Sequence, residues 1–241
     1  NLIIHCILLI ALNISDIIDL DRQLLIFING YDNIMVSGVM MTLTNGFYWI
    51  PLYLSLCYLI IKNNETMGQI VLAISGCILA VAMAGGIDDL LIKPWISRLR
   101  PCNDLDIKYC INNFIWMNKN QYSFFSAHAA NTFAIATYLA FLIRSRLLNI
   151  ALFLWAFLNG ITRIYLGVHY PTDVFVGMIW GVLCGIAAYR LYFLFCFRNY
   201  AHNSYISSQF TSTGYNRTDI DKVLVVVTLL LLIACIIGIN I

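Results

Sequence analysis

Long apolar segments recur along this chain of 241 residues, and they restrict its fold more than any other feature. A helix needs about 20 mostly apolar residues to cross the hydrocarbon core of a bilayer. Segments near that length, separated by short polar stretches, centre on Phe47 to Ile61, Ile70 to Ile87, Ala129 to Ile143, Leu147 to Ile161, Val174 to Tyr189 and Val223 to Ile239. The pattern predicts an all-α, polytopic membrane bundle with about six transmembrane helices.

The N-terminal segment allows two interpretations. Leu2 to Leu12 is either a seventh membrane helix, which we favour, or the remains of a signal sequence. Leu20 to Phe27 is amphipathic and precedes Asn29-Gly30, which predicts a short helix lying in the membrane interface. We expect residues 1–241 to form a single membrane domain that ends in a C-terminal helix over 223–239.

The composition supports a membrane protein, because 61% of the residues are hydrophobic and 11% are charged, against about 25% charged in soluble proteins. A net charge of +2 is too small to indicate nucleic-acid binding. When the loops are assigned to alternate sides, the side with Arg190 to Lys222 has seven cations and three acids, and the other side has seven cations and nine acids. The positive-inside rule counts basic residues, and these tie at seven on each side. When three cations on the side of the Lys93 to Tyr122 loop are set apart as functional, the rule places that loop outside the cytoplasm.

Three polar clusters adjoin the apolar segments, at residues 93–101, 125–128 and 162–173. The two apolar segments between the second and third clusters form a hairpin, and none separates the first cluster from the second, so all three clusters fall on one side of the membrane and can build one site. Charged and imidazole side chains beside apolar helices are costly and usually functional. The clusters supply three cations, two imidazoles, a carboxylate and a hydroxyl, namely Lys93, Arg100, Arg163, His128, His169, Asp173 and Ser126.

This set of side chains suits a phosphate group. Arginine offers forked donors to phosphate oxygens and lysine offers a point charge, which makes Lys93, Arg100 and Arg163 the expected phosphate-binding residues. Ser126 has the position of a helix N-cap. The backbone N–H groups of Ala127 and the residue after it should therefore point at a bound anion.

The third cluster suggests a mechanism. Pro171 is a typical first-turn residue, which places Asp173 in the opening turn of a helix, just after His169. A carboxylate that holds one imidazole nitrogen leaves the other nitrogen able to attack phosphorus, and His128 can protonate the leaving oxygen. These residues need no metal and no cofactor, and the sequence has neither a CxxC pair nor an HExxH motif.

The clusters resemble the three motifs of the type-2 phosphatidic acid phosphatases (PAP2), which share a catalytic core with vanadium haloperoxidases. The first motif, Lys, six residues and Arg-Pro, corresponds to Lys93 through Arg100-Pro101. The second, Pro-Ser-Gly-His, corresponds to residues 125–128, and the third, Ser-Arg, five residues, His, three residues and Asp, corresponds to residues 162–173. The segments SRLRPC and SAHAANTF also look like those of envelope lipid phosphatases from Gram-negative bacteria of the Bacteroides type.

The resemblance implies an integral, multi-pass phosphatase of the inner (plasma) membrane, with its active site facing the periplasm or the outside. It would hydrolyse a lipid phosphate or diphosphate through a phosphohistidine. By analogy, His169 is the nucleophile, Asp173 orients it, and His128 acts first as an acid and then as a base. The expected partners are membrane lipids and a lipid substrate, with undecaprenyl diphosphate ranked first and lipid A phosphate and phosphatidylglycerophosphate close behind. The oligomeric state is open.

Two rival functions stay open on the sequence alone. A vanadate-dependent haloperoxidase would share the phosphate pocket but lacks so many membrane helices. A non-catalytic protein that binds or transports lipid phosphates would keep the cations without needing both histidines. Three departures from the family consensus, at Phe125, Ala127 and Thr162, remove no reacting side chain and bear on substrate fit more than on the reaction.

The remaining polar residues receive structural roles. Arg98 is expected to be an ordinary flank residue that extends from a helix end to the interface, and Asp89 is expected to pair with Lys93. Cys102 and Cys110 lie close together in the loop placed on the oxidising side, where a disulfide is favoured over two free thiols. A stripe of small residues predicts close helix packing, at Gly177, Gly181 and Gly185.

Overall fold

The computed structural model describes residues 2–31, 33–112, 122–199 and 208–239. Side chains are described from residue 15 onward and, in the helix that ends at Asn199, up to residue 196. All regular elements within these ranges are helices. The α-helices are α1 (Leu2–Asn29), α2 (Ile34–Thr44), α3 (Ile50–Lys62), α4 (Met67–Val81), α5 (Lys93–Ile96), α6 (Ala127–Ile143), α7 (Arg146–Tyr165), α8 (Pro171–Asn199) and α9 (Arg217–Ile239).

The described residues include four helical stretches that are long and apolar enough to cross a membrane. A fifth results if the bent pair α1 and α2 counts as one span. The membrane bundle is therefore confirmed, but a count of six is not, because α3 with its preceding turn and α6 are shorter apolar helices. The 17 residues of α6 extend about 26 Å, which is less than the hydrocarbon thickness. The four spans are Met67–Ile96, Arg146–Tyr165, Pro171–Cys196 and Arg217–Ile239.

The N-terminal region is one helix followed by a sharp bend. α1 runs through both Leu2 to Leu12 and the predicted interfacial segment Leu20 to Phe27, and α2 starts after a bend of 112°. Asp21, Leu25 and Asn29 are buried against the rest of the protein. The other side of α1 is exposed and apolar, as expected for a helix at a membrane surface, at Ile17, Leu20, Leu24 and Phe27.

α6 and α8 form the most extensive helix contact and run parallel. A Cβ atom added to Gly177 would lie 2.7 Å from the Ser126 carbonyl oxygen, and one added to Gly185 would lie 2.7 Å from that of Ala134. A Cβ atom added to Gly181 would lie still closer to the α6 backbone, at the Ala130 carbonyl oxygen. The predicted glycine stripe therefore serves helix packing, and it brings the N-termini of α6 and α8 side by side.

The opposite end of the bundle is closed by the start of α9. This helix begins at Arg217, earlier than the predicted residue 223, because Asn216 caps it by accepting the Thr218 N–H at 2.9 Å. Asp219, in the first turn, is paired with Lys62 at 2.9 Å and with Lys222 at 2.7 Å. These ion pairs join the end of α3 to the start of α9, far from the N-termini of α6 and α8.

Candidate active site

The third cluster forms a tight turn between α7 and α8. The backbone N–H of His169 donates back to the Arg163 carbonyl oxygen at 3.2 Å. Gly167 has φ 61°, a left-handed conformation that favours glycine. α8 then starts at Pro171, as predicted, with Asp173 in its first turn. The turn thus gathers an arginine, a histidine and an aspartate within a few residues.

Asp173 lies beside His169, and both side chains are buried. Its Oδ2 is 3.8 Å from Nδ1 of the imidazole. The same oxygen accepts the Tyr170 backbone N–H at 3.1 Å and a short hydrogen bond from Ser123 Oγ. Ser123 Oγ in turn lies 3.4 Å from Nδ1. The carboxylate therefore acts on the imidazole directly through its charge and indirectly through a serine hydroxyl.

Ser123 is a site residue that the sequence did not reveal. Its side chain is fully buried, and its backbone N–H donates to the Arg98 carbonyl oxygen at 2.8 Å. It precedes the family's second motif, which starts here at Phe125, and a serine in a loop has no pattern of its own. Its position beside that motif is the single signal that could have found it.

Arg100 lies on the other side of the imidazole. Its Nη1 is 3.3 Å from Nε2 of His169 and donates to the Val168 carbonyl oxygen at 3.2 Å. Because a guanidinium only donates, this contact assigns the lone pair to Nε2 and the ring proton to Nδ1. A nucleophilic imidazole needs this tautomer. Nε of Arg100 is buried and has no partner in the part of the chain that the structure describes.

Arg163 brings a second buried guanidinium to the site. Its Nη1 donates to Thr44 Oγ1, at the end of α2, at 2.7 Å, and its Nε has no partner among the described residues. The charges of Arg163 and Arg100 act on each other and on His169. Buried cations without a paired carboxylate are costly, so the two unpartnered Nε–H groups favour an anion between them.

Lys93 is held by two carboxylates. Its ammonium lies 2.6 Å from Asp89, which confirms the predicted pair, and 2.9 Å from Asp88. A π-helical turn over Asp88–Ile92 brings residues five apart onto one side, so Asp88 reaches Lys93 as well. Asp88 also accepts the Phe125 backbone N–H at 3.2 Å. This buried carboxylate therefore connects the first cluster to the second.

Ser126 caps α6, as predicted. Its Oγ accepts the Ala129 N–H at 3.5 Å, and its own N–H donates to the Asp173 carbonyl oxygen at 3.1 Å. Because the first N–H groups of a helix have no intrahelical acceptor, those of Ala127 and His128 are available to an anion at this terminus. The cap thus joins the second cluster to the third.

His128 lies on the open side of the site, with its side chain exposed on the first turn of α6. Its imidazole has no hydrogen-bond partner among the described residues, unlike that of His169. Four site residues lie close enough to interact with it electrostatically, namely Arg163, His169, Lys93 and Arg100. The structure therefore brings the predicted residues of all three clusters to one end of the bundle.

Arg98 is not the flank residue that the sequence suggested. Its Nη1 lies 2.7 Å from Asp173 Oδ1 and 2.9 Å from Thr172 Oγ1, and its Nη2 lies 2.7 Å from Asp21 Oδ2. The expectation was wrong because α5 ends in a left-handed residue, Ser97 with φ 52°. The chain therefore turns towards α8 and α1 instead of extending to the membrane surface.

Burial and neighbouring charges shift the pKa values of the site residues in different directions. The pKa of His169 is lowered to about 4, mainly by burial; Asp173 opposes this shift, and the charges of Arg100 and Arg163 add to it. The imidazole is therefore neutral at neutral pH, as a nucleophile must be. Burial also lowers the pKa of Arg100. Burial opposes the charged form of Arg98 too, but its two carboxylate partners raise the pKa of that guanidinium.

The predicted disulfide between Cys102 and Cys110 is not formed in the structure, where both residues carry free thiols. Cys102 is half-buried in the 3-10 turn that follows Arg100, whereas Cys110 is exposed at the end of a second 3-10 turn, Lys108–Cys110. The two thiols therefore lie in different surroundings. Across the described ranges, no three His, Cys, Asp or Glu side chains are grouped so that they could hold a metal ion.

Several known proteins are similar to this chain. The chain matches the family model of the PAP2 superfamily over residues 70–197. A lipid A 4'-phosphatase from Bacteroides thetaiotaomicron is 36% identical over 182 residues, which cover 73% of this chain and 77% of the relative. Aquifex aeolicus LpxE, known from a crystal structure, is 28% identical in sequence and superimposes with a TM-score of 0.56. The match covers 70% of this chain and 93% of the LpxE chain. The PAP2-type phosphatidylglycerolphosphate phosphatase from Bacillus subtilis has the same fold, with a TM-score of 0.57 and 21% sequence identity. This match covers 76% of this chain and 88% of the Bacillus chain.

The family match spans more than half of the chain and contains all three clusters, so the chain belongs to the PAP2 superfamily. It is an integral membrane phosphatase, and its reaction is the hydrolysis of a lipid phosphate. The resemblance drawn from the three motifs is thereby confirmed, including the likeness to phosphatases of Bacteroides.

Proposed function

We propose that this phosphatase removes a phosphate group from lipid A at the periplasmic face of an inner membrane. The choice of lipid rests on the relative from Bacteroides thetaiotaomicron, a lipid A 4'-phosphatase at 36% identity. A second lipid A 4'-phosphatase, from Porphyromonas gingivalis, is 21% identical over 73% of this chain. These relatives move lipid A phosphate ahead of undecaprenyl diphosphate, which the sequence alone ranked first, and of phosphatidylglycerophosphate.

The observation that carries the proposed mechanism is the position of the His169 imidazole, with Arg100 on Nε2 and Ser123 and Asp173 on Nδ1. Nε2 attacks phosphorus while the bond from phosphorus to the lipid oxygen breaks, and His128 donates its proton to that oxygen. His128 then takes a proton from water. The hydroxide attacks the phosphohistidine, the P–N bond breaks, and inorganic phosphate leaves.

The proposed phosphate site uses the donors that the protein leaves unpaired. The Nε–H groups of Arg100 and Arg163 and the free N–H groups at the start of α6, after Ser126, would bind the non-bridging oxygens. Lys93 would add charge from the rim while paired with its two carboxylates. Donors of this kind each contribute about 10²–10³-fold to rate when they meet charge that develops in the transition state.

A lipid panel tests both the reaction and the substrate. Purified protein in detergent is given lipid A, undecaprenyl diphosphate and phosphatidylglycerophosphate at equal concentrations, with a chelator present, and phosphate release is measured. Mass spectrometry of the lipid A product identifies the position that loses phosphate. We expect lipid A to react fastest and His169→Ala to be inactive. Preference for another lipid would overturn the substrate assignment, and no activity on any lipid would favour a binding or transport protein.

The periplasmic orientation is tested with the exposed thiol of Cys110, in the loop next to the site. A membrane-impermeant maleimide should label Cys110 in intact spheroplasts, and Cys110→Ser should remove that labelling. Arg146→Cys in the same background places a thiol at the opposite end of the bundle and should react only after lysis. The reverse pattern would show that the site faces the cytoplasm.

A further inference from the structure

Asp21, Arg98 and Thr172 form a polar cluster beside the proposed active site, and the family match does not include all of it. Arg98 and Thr172 lie within residues 70–197, but Asp21 belongs to α1, outside that range. Asp21 is buried, and the Arg98 side chain is 25% exposed. The cluster therefore connects the N-terminal helix to the motif-bearing part of the chain.

Asp21 fixes the start of α8 from another helix. Its Oδ1 accepts the Thr172 backbone N–H at 2.8 Å, and its Oδ2 accepts the Thr172 hydroxyl at 2.6 Å. A carboxylate at a helix N-terminus satisfies an N–H group that has no intrahelical acceptor and interacts favourably with the helix dipole. Asp173 is the next residue along, so this contact also sets where its backbone lies.

Arg98 fixes the side chain of Asp173. It binds Oδ1 of Asp173 at 2.7 Å with one nitrogen and Asp21 at 2.7 Å with the other, and its guanidinium lies 3.8 Å from the centre of the Tyr170 ring. Oδ1 is therefore engaged, and Oδ2 is the oxygen that faces Ser123 and the imidazole of His169. A planar fork between two carboxylates is a geometry that Lys cannot reproduce.

We propose that Asp21 and Arg98 are a positioning pair that holds the Asp173 carboxylate in register with His169, so that the seating of α1 determines the rate of the phosphatase. The proposal rests on the proposed function, since it takes His169 as the nucleophile. Neither residue belongs to the proposed phosphate site. Arg98 differs in this respect from Arg100, two residues later, which contacts the imidazole and has no carboxylate partner among the described residues.

The test compares kcat and KM for Asp21→Asn, Arg98→Met and Arg98→Lys with those for two matched controls. Asp19→Asn changes an exposed acid two residues away on α1, and Arg146→Met changes an exposed arginine at the other end of the bundle. We expect kcat to fall about 100-fold in Arg98→Met and about tenfold in Asp21→Asn, with KM changed less than about twofold, because misplacing a reacting group slows the chemical step. Arg98→Lys should recover part of the loss, and both controls should keep the wild-type kcat.

The double variant Asp21→Asn/Arg98→Met separates a pair from two independent residues. Its loss in kcat should be smaller than the product of the two single losses, because both residues act on one carboxylate. A double variant whose loss in kcat equals the product of the two single losses would overturn the positioning pair. So would an unchanged kcat in Arg98→Met, or single variants that change KM but not kcat. If Arg98→Met does not fold, Asp21→Asn and Arg98→Lys decide by the same criteria.

A parallel assay of His169→Ala distinguishes failure of the positioning-pair proposal from failure of the proposed function. Wild-type kcat in the Arg98 variants, together with an inactive His169→Ala, would overturn the positioning pair alone. Activity in His169→Ala would overturn the nucleophile assignment and the positioning pair with it.

Discussion

The two histidines of the site lie in opposite surroundings. His169 is enclosed, with Arg100 on one nitrogen and Ser123 and Asp173 on the other. His128 is exposed on the first turn of α6 and has no hydrogen-bond partner among the described residues. One imidazole is therefore fixed in orientation and tautomer by the protein, whereas the other is oriented only by its place on a helix.

This difference matches what each residue has to do in the proposed mechanism. A nucleophile must present one nitrogen to phosphorus along a defined line, which favours a buried side chain with several contacts. A general acid must meet the leaving oxygen of a lipid that enters from the membrane, which favours a position at the open rim. The enclosed side should therefore control how fast phosphorus is attacked, and the open side should control which leaving groups depart.

The largest expected effect separates these two roles directly. His169→Ala should lose at least about 10⁵-fold in kcat, because it removes the attacking atom. His128→Ala should lose about 10²–10⁴-fold on a lipid phosphate, because it removes only the proton donor. With p-nitrophenyl phosphate, whose leaving group needs no proton, His128→Ala should recover most of its loss and His169→Ala should recover none.

The control is the thermal melting temperature, which should change little in His128→Ala because that side chain is exposed. Equal losses for the two variants on both substrates would contradict the division of roles.

The second prediction concerns pH. The pKa of His169 is lowered to about 4 by burial, so its imidazole stays neutral, and active, down to that pH. An ordinary histidine with a pKa near 6.5 would be about 97% protonated at pH 5 and would lose about 30-fold in kcat/KM. At pH 5, we expect protonation of His169 to lower kcat/KM by less than about twofold. The measurement is kcat/KM from pH 4 to 8, after correction for the ionisation of the substrate phosphate followed by phosphorus NMR. An acid limb near pH 6.5 that remains after this correction would contradict a buried, neutral nucleophile.

The sequence predicted where the site residues lie on their helices better than it predicted the contacts between them. Pro171, Asp173 and Ser126 could be placed because first-turn and N-cap positions have strong residue preferences. Ser123 and the role of Arg98 could not be placed, because both depend on how separate segments meet. A left-handed residue at Ser97 turns Arg98 towards α1, and no local pattern encodes that turn.

The fold shows the same division. Apolar length predicted the membrane bundle, and the glycine stripe predicted close packing of α8 against another helix, since both are features of a single segment. The number of spans could not be fixed in this way. Helices of intermediate length, such as α6, are apolar but shorter than the bilayer core, so hydropathy alone does not decide how they cross it.

The third prediction concerns the hydroxyl that the enclosed side adds to the imidazole. Ser123→Ala should lower kcat about tenfold with little change in KM, because Asp173 and His169 stay in place but lose the group between them. Ser75→Ala, an exposed serine on α4, is the matched control and should keep full activity. A change in KM alone would mean that Ser123 binds substrate rather than supporting the nucleophile.

The smallest expected effect concerns the open side, where Lys93 is shared between a buried and an exposed carboxylate. Asp89 is 62% exposed, and exposed ion pairs are weak, so Asp89→Asn should cost little stability. It should lower KM by up to about threefold, because it removes a competitor for the ammonium and leaves Asp88 to hold it. Asp221→Asn, an exposed acid at the far end, controls for the change in net charge. A higher KM in Asp89→Asn would instead mean that the exposed carboxylate helps to position Lys93, and the open side would then be organised much as the enclosed side is.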